Sequence, residues 1–136
     1  MIPNAPTVTN RLVLAKQLLQ SATIQAKNSY NSMNRILAVI SCDLSIETTL
    51  KTVIQELTSK KKPEFTFPDL IKQVDSLLKE NNLGEFPNRA RVEKIHDFRN
   101  DAQHKAKSPS ETDVRDCIEY TNTFLEQLLV KFGIFQ

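Results

Sequence analysis

Long apolar runs are absent from this sequence of 136 residues. No stretch approaches the ~20 consecutive apolar residues that a membrane-spanning helix needs, and the N-terminus lacks the charged-then-apolar pattern of a secretory signal. Glycine occurs only twice and tryptophan not at all. We therefore predict a cytoplasmic protein without membrane association, built as a single domain over residues 1–136. The apolar pair Ile134-Phe135 at the very end indicates either the N-terminal part of a longer protein or a dimer contact.

Cysteine is scarce, and its placement argues against metal or redox chemistry. Cys42 and Cys117 lie among apolar helical positions, with no CxxC pair and no histidine at ligand spacing. We interpret both as buried free thiols, and we expect neither a metal nor another cofactor.

The net charge is small, but it is unevenly distributed. A value of +2 does not by itself indicate a nucleic-acid-binding protein. Residues 89–107, however, contain six Lys/Arg and three Asp/Glu, which is a local charge of +3.

Hydrophobic residues recur at helical spacing through most of the chain, and no segment alternates as a β-strand does. The sequence predicts a first helix over residues about 8–29 and a second over residues about 32–58. The run Lys60-Lys61-Lys62-Pro63 ends the second and begins a solvated loop, where RNA contact is the alternative to a role in solubility. The second helix is amphipathic, and its apolar stripe is assigned to Met33, Ile36, Leu37, Ile40, Leu44, Leu50, Ile54 and Leu57.

Three more helices complete the prediction. The third begins near Pro68 and ends at Asn81-Asn82-Leu83-Gly84, and the fourth follows Pro87-Asn88. The fifth begins at Ser108-Pro109-Ser110-Glu111, with a serine cap, proline at the first helical position and glutamate at the third, and it ends near Gly133. The predicted fold class is therefore all-α, a five-helix antiparallel bundle with short connections.

The fourth helix carries both histidines of the chain. At ~100° per residue, its core face is predicted to hold Val92, Ile95, Phe98 and Ala102. The flank beside that face holds Arg99, Gln103, His96, Asn100 and His104. An arginine that binds a phosphate and a histidine that moves protons near neutral pH are what metal-free RNA cleavage requires.

Arg99 and His104 are five residues apart and therefore ~140° apart around a regular helix. A second copy of the helix, packed against this flank across a two-fold axis, would place each arginine beside the other copy's histidine. Alternatively, the helix loosens before Ser108 and brings His104 round. The non-functional alternative is an interhelical salt bridge and a half-exposed imidazole ring.

Glu47 falls within the apolar stripe of the second helix. A buried carboxylate needs a partner, because an unpaired charge in a core costs several kcal/mol. Arg99 would be one partner, and the pair would fix the guanidinium while leaving donors free. Lys51, one turn further on, is the other, with Glu47 reaching outward to solvent.

The segment Arg99-Asn100-Asp101-Ala102-Gln103-His104 on a late helix of a small all-α bundle resembles the hallmark motif of the HEPN family (higher eukaryotes and prokaryotes nucleotide-binding). Glu47 and Lys51 on the second helix, and the Ser-Pro loop before the last helix, are also similar to the family pattern. The resemblance covers the whole chain, but only the six-residue motif is specific. Ala106 departs from the toxin branch with a nucleotidyltransferase partner, which usually has tyrosine at that position.

The resemblance implies a metal-independent endoribonuclease that acts as a homodimer with a composite active site. Such proteins belong to toxin–antitoxin, CRISPR-linked and phage-defence systems, so an antitoxin or effector partner is expected besides RNA. Other members are inactive, which leaves a non-catalytic helical interaction or nucleic-acid-binding module as the alternative. An HD-type metal phosphohydrolase, suggested by His96-Asp97, is excluded because it needs a further upstream histidine.

The predicted catalytic residues are Arg99, Asn100 and His104. His104 would act as general base or acid while the ribose 2′-OH attacks the adjacent phosphate. Arg99 would stabilise the charge that develops on that phosphate, and Asn100 would orient the imidazole or donate to a phosphate oxygen.

The other predicted site residues support this chemistry. Lys105 and Lys107 would hold the RNA backbone without reading bases. Glu47 and His96 are predicted to give structural support.

Overall fold

The computed structural model describes residues 6–58 and 62–131. Within these residues the α-helix is the only regular secondary structure and there is no β-strand, so the all-α prediction is confirmed. The helices are α1 (Pro6–Ala26), α2 (Ser32–Leu57), α3 (Phe67–Glu80), α4 (Arg89–Lys105) and α5 (Glu111–Val130). None of the described helices is long and apolar enough to cross a membrane.

Local capping explains where α2, α3 and α5 begin. The side chains of Asn31 and Thr66 accept hydrogen bonds from backbone N–H groups in the first turns of α2 and α3. Ser110 and Asp113 form a reciprocal capping box at the start of α5.

The start predicted for α5 is wrong by two residues, because Ser110 rather than Ser108 is the cap. The segment before it is held by Arg35 from α2. The Nε atom of Arg35 donates to the carbonyl oxygen of Pro109 at 2.7 Å, and Nη2 donates to the hydroxyl of Ser108 at 3.4 Å. These contacts keep Ser108 and Pro109 outside the helix. The predicted end near Gly133 lies outside the described residues.

Helix α2 is the centre of the bundle, since it contacts all four other helices. The apolar stripe predicted for it is buried only in part, since Leu50 and Ile54 are buried whereas Met33, Leu37 and Leu44 are exposed. Much of the buried surface of α2 consists instead of small and polar residues, namely Ala38, Cys42, Asp43, Ser45, Thr49 and Thr52. Their hydroxyl groups are satisfied by backbone carbonyls, as where Ser45 donates to Ala15 of α1 at 2.6 Å.

Helix α4 has the orientation that its sequence predicts. Val92, Ile95 and Ala102 are buried, and Phe98 packs against the edge of the core. The flank that bears Arg99 and His96 faces α2.

Candidate active site

A buried carboxylate on α2 connects the motif helix to the core. The side chain of Asp43 is enclosed, with 4% of the residue exposed. Its Oδ1 lies 3.0 Å from Nδ1 of His96, and its Oδ2 lies 3.6 Å from Nε of Arg99. Because a carboxylate only accepts hydrogen bonds, Nδ1 of His96 is the donor. Asp43 thus binds two α4 side chains at once, and the guanidinium compensates its charge.

The sequence analysis missed Asp43. Of the two partners considered for Glu47, Lys51 is the one that it contacts, at 3.4 Å in a partly exposed pair, and the Glu47–Arg99 pair is not formed. The physical reason is helix rotation. Glu47 is four residues after Asp43 and therefore ~40° further round α2, which turns it away from α4 and towards solvent. One signal for Asp43 was present in the sequence. His96 and Arg99 are three residues apart and lie on the same flank of α4, so one acidic residue on a neighbouring helix can bind both.

Arg99 is fixed on one side and open on the other. Its Nε faces Asp43, and its Nη1 donates to Oδ1 of Asn100 at 3.0 Å. Its Nη2 has no hydrogen-bond partner in the described part of the chain, and the side chain is 31% exposed. A guanidinium anchored through Nε keeps donors available for a bidentate contact with a phosphate.

His96 packs against α3 as well as α2. Its ring stacks on Phe67 with the centroids 3.9 Å apart and the planes 7° apart. Because the stacking fixes the ring and Asp43 fixes its Nδ1, His96 prevents the carboxylate of Asp43 from turning away from Arg99.

His104 lies on the outer, exposed side of α4. It forms no ion pair or side-chain hydrogen bond with the residues that the structure describes. The helix stays regular to Lys105. It therefore does not unwind before Ser108 in the way that would turn His104 towards Arg99. Arg99 and His104 remain ~140° apart within one chain.

The chain leaves α4 through a tight turn. Ala106 has a left-handed backbone with φ of 51°, and the N–H groups of Ala106 and Lys107 both point to the carbonyl oxygen of Asp101. Lys105 forms a surface pair with Asp101 at 3.4 Å, a kind of pair that contributes little stability. Both lysines are exposed at this end of the helix.

Arg35 anchors the loop that follows the motif. Besides its contacts to that loop, its Nη1 donates to the carbonyl oxygen of Ser29 at 2.6 Å. One guanidinium therefore joins the α1–α2 turn to the α4–α5 loop. The sequence analysis did not identify it, since a lone arginine at the start of a helix carries no recognisable signal.

The two thiols are buried, as expected for structural cysteines. Burial raises the pKa of Cys42 to about 12, against a smaller opposing effect from a hydrogen bond with Thr121. Burial also raises the pKa of Cys117. Neither thiol forms a nucleophilic thiolate at neutral pH.

Comparison with protein-family models, with curated proteins and with solved structures found no significant match. The residues quoted above are therefore what carries the resemblance to HEPN domains. Among the described residues, no three His, Cys, Asp or Glu side chains are grouped so that they could hold a metal ion.

Proposed function

We propose that this protein is a metal-independent endoribonuclease of the HEPN type. The observation that carries the proposal is the anchored guanidinium of Arg99. Asp43 holds its Nε, while Asn100 and the remaining guanidinium donors lie on the flank of α4 that continues to His104. An arginine fixed in this way suits a phosphate whose negative charge increases during reaction.

The reaction is an intramolecular transesterification at a phosphodiester of the RNA strand. His104 removes the proton from a ribose 2′-OH, whose oxygen attacks the adjacent phosphorus. A new 2′ O–P bond forms as the P–O5′ bond breaks, and a protonated group returns a proton to the leaving 5′ oxygen. The products are a 2′,3′-cyclic phosphate and a 5′-hydroxyl. Lys105 and Lys107 hold the RNA backbone beside the site.

A second copy of the chain completes the site in this proposal, since Arg99 and His104 diverge within one copy. The surface available for it is the apolar stripe of α2, which consists of Met33, Leu37, Ile40 and Leu44 and which includes three exposed side chains. Its members follow at intervals of four, three and four residues, so they form one line along the helix. The stripe begins ~60° round α2 from Asp43. The proposed homodimer covers this stripe, and the composite site requires the partner's His104 to lie beside Arg99.

The wider context follows from the resemblance. We propose that the five helices form an antiparallel HEPN-like bundle, and that the protein acts in the cytoplasm as a toxin or phage-defence effector. An antitoxin or another effector would then restrain or trigger the activity.

A non-catalytic module is the second candidate, and the exposed position of His104 favours it. No described residue orients this imidazole, whereas His96 is fixed by two partners. In that case the same Arg99 flank would bind a phosphate or a partner helix without cleavage.

Incubation of the purified protein with end-labelled RNA in EDTA separates these candidates. The variants are His104→Ala and, as a matched control, Gln103→Ala, which removes an exposed neighbour on the same helix. Cleavage that persists in Gln103→Ala and disappears in His104→Ala supports the ribonuclease. Absence of cleavage by the wild-type dimer supports the binding module.

A further inference from the structure

Phe65 is the most exposed aromatic side chain in the described part of the protein. It is fully exposed, whereas Phe67, Phe86 and Phe124 are buried. It lies in the α2–α3 connection, outside the core. Full exposure leaves the ring accessible to a ligand that stacks on it.

The loop holds Phe65 in this position through anchors on both sides. The side-chain amide of Gln73 donates to the carbonyl oxygen of Lys62 at 2.9 Å and accepts from the N–H of Glu64 at 3.0 Å. On the other side, the hydroxyl of Thr66 caps α3 by accepting from the N–H of Asp69 at 3.3 Å. The backbone is therefore tied immediately before and after Phe65, and the ring is presented to solvent.

The sequence around Phe65 is rich in lysine. Residues 60–72 contain four lysines and two acidic residues, for a local charge of +2. Lys62 and Lys72 are exposed, and neither forms an ion pair with a residue in the two described ranges. An exposed aromatic ring in a lysine-rich segment matches the combination by which proteins bind single-stranded nucleic acids, with bases stacking on rings and phosphates near cations.

A short series of contacts leads from Phe65 to the phosphate-binding arginine. The Cα atom of Phe65 lies within ~7.6 Å of that of Phe67, since consecutive Cα atoms are ~3.8 Å apart. The Phe67 ring stacks on His96, which shares the carboxylate of Asp43 with Arg99. A single strand of a few nucleotides would span the two positions.

We propose that Phe65 is a stacking platform for an unpaired base of the RNA whose phosphate Arg99 binds. The inference rests on the proposed function and adds to it a position that binds an unpaired base. In a duplex both faces of each base are already stacked, and the deep major groove keeps side chains away from them. The lysines favour RNA over an apolar protein segment as the occupant.

The absence of tryptophan from the chain provides a direct test. Phe65→Trp, made in a His104→Ala background so that RNA stays intact, contains a single fluorescent indole. Its emission is followed during titration with a 12-nucleotide single strand and with a duplex of the same length. The matched control is Val130→Trp in the same background, since Val130 is also exposed. It lies next to Lys131, which contacts Leu83 at the opposite end of α3, ~21 Å from Phe65 along a 14-residue helix.

We expect the single strand to quench the emission of the Phe65→Trp variant and to leave that of the Val130→Trp control unchanged, and we expect the duplex to quench neither. Phe65→Ala should weaken single-strand binding about tenfold without changing duplex binding. Equal quenching by the two nucleic acids would overturn the stacking assignment. A spectrum that changes with protein concentration before RNA is added would make Phe65 a contact between copies and would also overturn it.

The two proposals fail in different ways. Quenching by a single strand, together with a wild-type protein that never cuts RNA, would retain the platform and reject the nuclease. Cleavage of RNA in EDTA without any response of the indole at position 65 would retain the nuclease and reject the platform.

Discussion

The carboxylate of Asp43 lies 3.6 Å from Nε of Arg99. A residue of the central helix α2 therefore binds the motif arginine on its core-facing side. A carboxylate that is almost fully enclosed sets the direction of a guanidinium whose other nitrogens remain at the surface. The position of the arginine thereby depends on the packing of α2 against α4. Fold stability and the phosphate binding proposed for Arg99 are therefore coupled at this pair.

Removal of the Asp43 side chain should therefore destabilise the protein. Asp43→Ala leaves Arg99 and His96 without their shared partner, and loss of one member of a buried ion pair costs about 3 kcal/mol. For a domain of this size, that corresponds to a decrease of ~10 °C in Tm, measured by circular dichroism. RNA cleavage should decrease as well.

Glu47→Ala is the matched control for Asp43→Ala, because it removes a carboxylate from the same helix one turn away. Its pair with Lys51 is partly exposed, and such i,i+4 pairs contribute only ~0.3–0.5 kcal/mol. Its melting temperature should stay close to that of the wild type. Equal melting of Asp43→Ala and wild type would contradict the anchoring role.

The apolar stripe of α2 predicts the oligomeric state. Light scattering at tens of micromolar should give a dimer for the wild type and a monomer for Leu44→Glu, because a charge would then face the partner's apolar surface. Val130→Glu, which also replaces an exposed apolar residue but lies on α5, should remain dimeric. A strictly monomeric wild type would remove the composite site.

Mixing two inactive variants tests whether one site uses residues from two copies. Arg99→Gln and His104→Ala should each be inactive alone. In an equal mixture that exchanges subunits, half of the dimers are mixed, and each holds one intact site out of two. The mixture should therefore recover about a quarter of the wild-type rate. No recovery despite demonstrated exchange would place both residues in the same copy's site.

The 2′-OH nucleophile of the proposed mechanism predicts the products and the substrate range. Cleaved RNA should end in a 2′,3′-cyclic phosphate, detected by mass spectrometry, and DNA of the same sequence should stay intact because it lacks the 2′-OH. His104→Ala should fold normally, since the side chain is exposed. It should lose about 10²–10⁴ of the rate while it retains RNA binding through its cations. Cleavage of DNA would refute the mechanism.

The buried thiols predict a loss of stability at alkaline pH. Their pKa values are raised above the value of 9.0 for an exposed thiol, to about 12 for Cys42. Protonated thiols favour the folded state, so their contribution is complete below pH 9.0 and decreases as pH rises towards 12. Each thiol should account for up to ~1.4 kcal/mol per pH unit in that range. The test is the free energy of unfolding, measured between about pH 8 and pH 10.5, on either side of the ordinary thiol pKa. It should fall less steeply with pH in the double variant Cys42→Ala/Cys117→Ala than in the wild type. Parallel curves would contradict this.

The sequence by itself determined the helical character, the number of helices in the described residues and the orientation of α4. These follow from local properties. Val92, Ile95 and Ala102 recur at helical spacing on one face, and Asn31, Thr66 and Ser110 cap helices through neighbouring backbone groups. The apolar periodicity of α4 is unambiguous, because charged residues occupy its opposite side.

Only the tertiary structure decided which face of α2 is buried and which carboxylate holds Arg99. Helix α2 is surrounded by four neighbours, so small and hydroxyl-bearing residues such as Ser45 and Thr49 are buried with their polar groups satisfied. Their burial rotates the stripe that contains Leu37 and Leu44 towards solvent and brings Asp43 against α4. A rotation of ~40° separates Asp43 from Glu47 on this helix. The sequence of α2 alone does not determine which of the two residues faces α4, because the packing of the helices sets the rotation of α2 about its axis.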